Sequence, residues 1–311
     1  MDTETARAMR VEVALTPAFV PDGAGARDAV FVAIDVVRAT TTLCVAFEAG
    51  VRRVYVAAGI EEARAAKGRL GVGCLLAGEV GGLAPEGFDL GNSPAEMAGR
   101  GLDGAELIFA TTNGTRALRA CAHARTTLAG SLRNATALAA AALAAAGMPG
   151  VHAGGDDGTR DSVAHGGASE GSADGGAPDI VLVCAGRGDW PSYDDTLCAG
   201  WLVAECERLA AEAGIRVTVG EGARIARAVT GRLETGSALV EALASSDAGR
   251  AVEHVGLAGD LAWCADVNAS QVVPRVVGVR DGGALLVVEA GPRPYQGESG
   301  GAGRGRGGRT L

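Results

Sequence analysis

The chain has 311 residues, of which 48% are hydrophobic and 21% charged, enough to build a sizeable core and too apolar for a wholly disordered chain. Lys and Arg together number 28 against 37 Asp and Glu, a net charge of −9 with no basic stripe, so the folded part is not expected to bind nucleic acid. The Ala-rich run at 135–146 is too short and too poor in Leu, Ile and Phe to span a bilayer, and no membrane association is expected.

Two residue types narrow the chemistry. Lys67 is the only lysine and sits in a polar helical stretch, which leaves Schiff-base catalysis little to work with. The cysteines (Cys44, Cys74, Cys121, Cys184, Cys198, Cys206 and Cys264) are irregularly spaced and form no CxxC pair. That pattern fits reduced thiols packed in a core rather than a zinc ribbon or a disulfide framework. Asp2, Glu4, Arg7 and Arg10 stand where a secretory signal would have its apolar core, so the expected location is cytoplasmic.

In chain order, the first β-rich run is Val30–Ile34, followed by Asp35, Arg38, Thr40, Thr41 and Thr42 and a helical pattern over 39–49. A strand over 54–57 and a helix over 60–67 come next. A strand over 74–77 then runs into Gly78, Glu79 and a Gly-rich stretch that closes on Asp89, Asn92, Ser93 and Pro94. The strand over 106–110 leads through Thr111, Thr112, Asn113, Gly114 and Thr115 into a helix over 115–122. After the strand over 127–129 come Gly130, Ser131, Arg133 and Asn134, then a helix over 134–146. In the second half a strand over 180–184 precedes Gly186, Arg187, Gly188, Asp194 and Asp195 and a long helix over 195–213. A strand over 217–219, a helix over 237–245 and a strand over 285–288 complete the pattern.

Short apolar strands alternating with helices predict a three-layer α/β/α fold with a mainly parallel or mixed sheet. The arrangement is one body or two α/β lobes, over 10–150 and 179–296. Between them residues 151–178 are rich in Gly, Ser and Asp and read as a flexible insertion; residues 297–311 read as a solvated tail with Arg-Gly pairs.

Ligands of open α/β sheets bind beyond the carboxyl ends of the strands, and five of these strands end in carboxylates, hydroxyls, amides, glycines or arginines. The Thr111–Thr115 loop at a helix start is a natural oxyanion cradle, and Arg38, Arg116, Arg133 and Arg187 supply positive charge. Asp35, Glu79, Asp194 and Asp195 would repel an anion unless a cation lay between, and oxygen-only ligands suit Mg²⁺. The pattern implies magnesium-dependent phosphoryl chemistry. The DxD pair, the cysteine-phosphate loop, the P-loop, the Arg-His-Gly motif and HExxH are all absent.

The runs IDVVRATTT (34–42), GEVGGLAPEGFDLGNSP (78–94), TTNGTRAL (111–118), GSLRNA (130–135) and DDTLCAG (194–200), in that order, resemble the signature blocks of the 2-phosphosulfolactate phosphatase family. DLAWC (260–264) and VVP (272–274) are similar to its C-terminal block, and the likeness covers residues 10 to 290, with 152–178 an insertion by comparison. The resemblance implies a Mg²⁺-dependent α/β hydrolase that removes phosphate from 2-phospho-3-sulfolactate, a step in coenzyme M synthesis.

The expected catalytic residues are accordingly Asp35, Arg38, Glu79 and Asp194, with Asp35, Glu79, Asp194 and Asp195 as metal ligands. Thr111, Thr112, Asn113, Gly114, Thr115, Ser131, Arg133, Asn134, Asn92 and Ser93 are expected to bind a small anionic phosphomonoester, Arg133 reading its sulfonate. Each has a plainer reading. Asp35, Asp194 and Asp195 can cap helices, Asn92 and Ser93 can shape a turn before Pro94, and Arg133 can pack near a helix start. A non-catalytic sensor for a phosphorylated or sulfonated acid would use the same cradle without needing the carboxylates. Large apolar helical faces leave a homodimer open.

Overall fold

Every residue of Val30–Ile34 is buried, as a continuous apolar run requires when a strand is covered on both faces. This run is β2 in the computed structural model, which describes residues 8–21, 27–71, 73–148, 179–231, 233 and 235–291. The expected insertion at 151–178 and tail at 297–311 lie outside the described residues. The other strands are β1 (Met9–Ala14), β3 (Arg53–Ala57), β4 (Cys74–Gly78), β5 (Glu106–Ala110), β6 (Thr126–Gly130), β7 (Ile180–Cys184), β8 (Val217–Val219), β9 (Pro274–Arg280) and β10 (Leu285–Ala290).

These form one mixed sheet in the order β4-β5-β3-β10-β9-β6-β2-β7-β1-β8. Pairing is parallel within β4-β5-β3 and within β6-β2-β7-β1-β8. The β9–β10 hairpin joins the two sets by antiparallel pairings, with Leu128 of β6 opposite Arg275 of β9. Strands from the two stretches that the sequence separates into lobes interleave here, since β7 and β8 flank β1.

The helices are α1 (Ala39–Glu48), α2 (Ile60–Leu70), α3 (Pro94–Ala98), α4 (Gly114–Cys121), α5 (Ala135–Ala145), α6 (Tyr193–Glu212), α7 (Glu221–Thr230), α8 (Ser237–Ala244), α9 (Asp247–His254) and α10 (Asp260–Cys264). One face of β2 and β7 (Val30, Val32, Ile34, Leu182) packs on α5 and α6 through residues such as Leu138, Leu143, Leu202 and Val203. The opposite face (Phe31, Ala33, Val183) shares a second core with α1, α4 and the β3, β5 and β10 residues Val56, Phe109 and Leu286. The sheet therefore curls around α1 and α4. A third core sets Tyr55, Ile108 and Leu285 against Ala63 and Ala66 of α2. Among the described residues no helix is long and apolar enough to cross a membrane.

Candidate active site

Curling of the sheet brings the ends of β2, β4, β5 and β7 to one cleft of about 870 Å³. Its walls are the turn after β2 (Asp35, Val37, Arg38), Glu79 to Gly82 and Asn92 after β4, and Thr112, Asn113 and Arg116 after β5. Residues 186–195 after β7 and the start of α9 (Ser245 to Val252) close it.

Asp35 is the first residue past β2, and the threonines of α1 pin its backbone. The Thr40 hydroxyl donates to the Asp35 carbonyl (2.9 Å) while accepting the Asp35 N–H (3.1 Å), and the Thr41 hydroxyl donates to the Val36 carbonyl (2.9 Å). The Asp35 side chain accepts the Ala39 N–H at 3.4 Å, so it caps α1 and faces the cleft together. Burial pushes its pKa up to about 8, with further lift from Asp195 and Glu79 and partial relief from the Ala39 N–H and Arg38.

Asp194 and Asp195 form the buried first turn of α6. Asp195 accepts N–H groups from Val36 (3.0 Å) and Gly186 (3.0 Å), clamping the β2 turn to the β7 loop. Asp194 Oδ1 is buried without a hydrogen-bond partner. Burial first, then the neighbouring charge of Asp35 on Asp194 and of Asp194 on Asp195, raises both carboxyls.

Glu79 spans two loops, accepting the Thr112 N–H (2.7 Å) and the Gly82 N–H (2.9 Å). This corrects the expected anion cradle, because one of its donors already holds a carboxylate. Thr111 and Thr115 are buried and bond to each other: the Thr115 N–H reaches Thr111 Oγ1 at 3.2 Å and the Thr115 hydroxyl the Thr111 carbonyl at 2.6 Å. Neither lines the cleft, whereas Thr112 and Asn113 do. Gly114 packs its backbone against Asp35.

The end of β6 does not join the cleft. Ser131 and Asn134 bond to each other through the Ser131 N–H (3.0 Å), and the Asn134 amide donates to the carbonyls of Ala129 (3.3 Å) and Val272 (2.9 Å). Arg133 is bound to Glu48 (3.0 Å) and Asp266 (2.9 Å), with its guanidinium 5.1 Å from the Trp263 ring centre. These three residues hold the loop after β6 in the fold, and Arg133 is not among the residues that line the cleft. Ser93 also turns away, capping α3 at the Glu96 N–H and donating to Asp260 at 2.6 Å.

Four arginines do line the cleft. Arg38 is buried, while Arg116, Arg187 and Arg250 stand toward its mouth: Arg116 pairs with Asp189, Arg187 donates to the Asp247 carbonyl and Arg250 pairs with Asp247. Sequence reasoning missed Arg250 and the whole wall from Ser245 to Val252. The signal was present, since Ser246 followed by Asp247 is an N-cap with an acid in the first turn.

Among the described residues no three Asp, Glu, His or Cys side chains gather closely enough to enclose a metal ion. Magnesium needs no such cage, because it keeps several waters and is held by one or two carboxylates plus substrate phosphate. The donor set fits that mode: Asp194 Oδ1 and Asn92 Oδ1 are buried oxygens with no partner, in a cleft that Asp35 also lines.

A sequence model described as 2-phosphosulpholactate phosphatase matches residues 14–159 and 170–278. A probable 2-phosphosulfolactate phosphatase of Thermus thermophilus is 34% identical over 262 residues, covering 84% of this chain and 93% of the relative. Proteins of the same name from Carboxydothermus hydrogenoformans and Deinococcus radiodurans are 32% and 34% identical. Those matches cover 80% and 86% of this chain and 87% and 94% of the relatives.

Proposed function

The chain belongs to the 2-phosphosulpholactate phosphatase family, and from that premise we propose that it hydrolyses the phosphate monoester of 2-phospho-3-sulfolactate with Mg²⁺, by direct attack of water. The observation that carries this reading is the meeting of Asp35 and Asp194 with Arg38 in one cleft, where buried carboxyls with raised pKa values want a cation. Asp35 and Asp194, with the Asn92 amide oxygen, would hold Mg²⁺. When bound, the ion neutralises the carboxylates beside the phosphate and polarises the phosphoryl oxygens.

The chain's own residues do the rest. Arg38 and Arg116 offer planar donor forks to the equatorial oxygens, where charge spreads in a loose transition state. Asp35 and Asp194 orient the attacking water. Glu79 and Asp195, each held by two backbone N–H groups, fix the loops that carry Thr112, Gly82 and Gly186. The mouth arginines Arg116, Arg187 and Arg250 would take the anions of the substrate that do not react.

The test is phosphate release from a panel of phosphomonoesters, with magnesium and with chelator. Turnover that prefers the sulfonated acid and stops with chelator is expected; no magnesium-dependent turnover on any substrate ends the reading. A chiral phosphoryl group separates direct attack from an aspartyl-phosphate at Asp35, because one displacement inverts and two retain configuration.

A further inference from the structure

Asp260 lies 222 residues from Arg38 in sequence and does not line the cleft, yet their charges meet at 2.8 Å with both side chains only 2% exposed. We propose that Asp260 is a positioning residue, which fixes the Arg38 guanidinium so that its remaining N–H groups face the cleft. Asp260 itself cannot turn. Its Oδ1 accepts the Ser93 hydroxyl (2.6 Å) and the Ala95 N–H (3.4 Å), and Oδ2 takes Arg38. Arg38 is held at a second point, donating to the Gly82 carbonyl at 2.7 Å. A guanidinium has five N–H donors in a rigid plane, so two fixed bonds set where the others point.

The geometry matters because of what else Arg38 can reach. Asp35 is within electrostatic reach, and the Arg38 charge favours its ionised form. A buried guanidinium deprived of Asp260 keeps its charge and must find another carboxylate. Asp35, whose carboxyl already senses the Arg38 charge, is the expected one, and an Arg38–Asp35 pair would withdraw both groups from phosphate and cation together. The Asp260–Arg38 pair thus keeps a cation beside Asp35 without letting the two collapse.

The inference rests on the phosphatase reading only in taking phosphate as the cleft's ligand. Asp260→Asn keeps the size and the Ser93 contact and removes the charge. Its crystal structure is expected to show the guanidinium off the Gly82 carbonyl and turned toward Asp35. Its affinity for inorganic phosphate in magnesium, measured by calorimetry, should fall about tenfold to a hundredfold, as loss of a charged hydrogen-bond partner does. Arg38→Lys should lose as much, and the double variant no more than the larger single loss, because Asp260 acts only through Arg38. A guanidinium that stays in place, or losses that add, overturns the proposal. Should Asp260→Asn not fold, Arg38→Lys decides: it keeps the charge but lacks the fork, so wild-type phosphate affinity there overturns the proposal. A wild-type protein that neither binds phosphate nor cleaves a monoester ends the functional reading instead, and the guanidinium position still settles the role of Asp260.

Discussion

Gly114 leaves no room for a side chain beside Asp35: a Cβ built on it would stand 2.7 Å from Asp35 Oδ2 and 2.4 Å from the Ala39 Cβ. The start of α4 therefore lies directly on the carboxylate just past β2, and the glycine is there for space. Gly114→Ala must push Asp35 or α1 aside. Overpacking of this kind costs about 1–3 kcal/mol of stability. Activity should suffer more than folding, because a displacement near 1 Å at a reacting group costs roughly a hundredfold. Denaturant melts and kcat/KM on the same preparation check it; a folded variant with near wild-type kcat/KM means that Asp35 can move without harm.

The raised pKa of Asp35 also makes stability depend on pH. The folded carboxyl titrates at about 8 against an ordinary 3.8, so between those values the folded state binds the proton more tightly than the unfolded chain does. This contribution is complete below about pH 3.8 and disappears as pH rises through about 8. Without divalent cations the melting temperature should fall between pH 5 and 8, by roughly 5 °C or more on the usual scale for a chain of this size. Asp35→Asn should reduce that slope and leave the share that the raised carboxyls of Asp194 and Asp195 contribute. Magnesium should stabilise the wild type more at pH 8 than at pH 5, since it binds the ionised form. A slope unchanged in Asp35→Asn assigns the pH dependence to other groups.

Much of this was legible in the sequence. The strands that lead into the cleft are continuous apolar runs, and the polar residues past their ends, Asp35, Glu79, Asn113 and Asp194, line that one cleft. The outer parts were not legible. Strand β1 (MRVEVA) alternates apolar residues with Arg10 and Glu12, and in β9 Val277 and Val279 face solvent on either side of Gly278, so neither is the continuous apolar run that marks the central strands. Helix α7 buries Ala223 and Ala226, residues too small to announce an apolar face. The end of β6 misleads for a related reason. Arg133 and Asn134 have the right chemistry, but their partners, Glu48, Asp266 and Val272, come from distant segments that no local pattern links.

Arg133 consequently belongs to stability rather than to substrate choice. Its guanidinium bridges Glu48 and Asp266 and covers the Trp263 ring, joining α1, the loop after β6 and the end of α10. Both acids are partly open to water, so the ion pairs are screened and the stem packing and cation–π contact carry much of the effect. Arg133→Ala should cost about 1–2 kcal/mol in denaturant melts. The ratio of kcat/KM values for sulfonated and plain phosphomonoesters should stay within threefold of wild type; a selective loss on the sulfonated substrate would bring Arg133 back to the site.

Choice among substrates then falls to the mouth. Arg187 sits on the loop between β7 and α6, exposed, its guanidinium donating to the Asp247 carbonyl, with Arg250 across from it on α9. A phosphate near Asp35 and Asp194 lies at the cleft floor, so an anion elsewhere on the same small acid extends toward these two arginines. Their exposure limits what each contributes, since a solvated charge pair is worth about 0.2–1 kcal/mol and a charged hydrogen bond about 1.5–3. Arg187→Ala should therefore raise KM for 2-phospho-3-sulfolactate about five- to tenfold with kcat changed less than threefold, the mark of lost uniform binding. A plain phosphomonoester should show little change, and the difference should shrink as ionic strength rises. Arg187→Ala combined with Arg250→Ala should deepen the loss. If both substrates suffer equally, the mouth arginines serve the phosphate or the fold, and the second anion is read elsewhere.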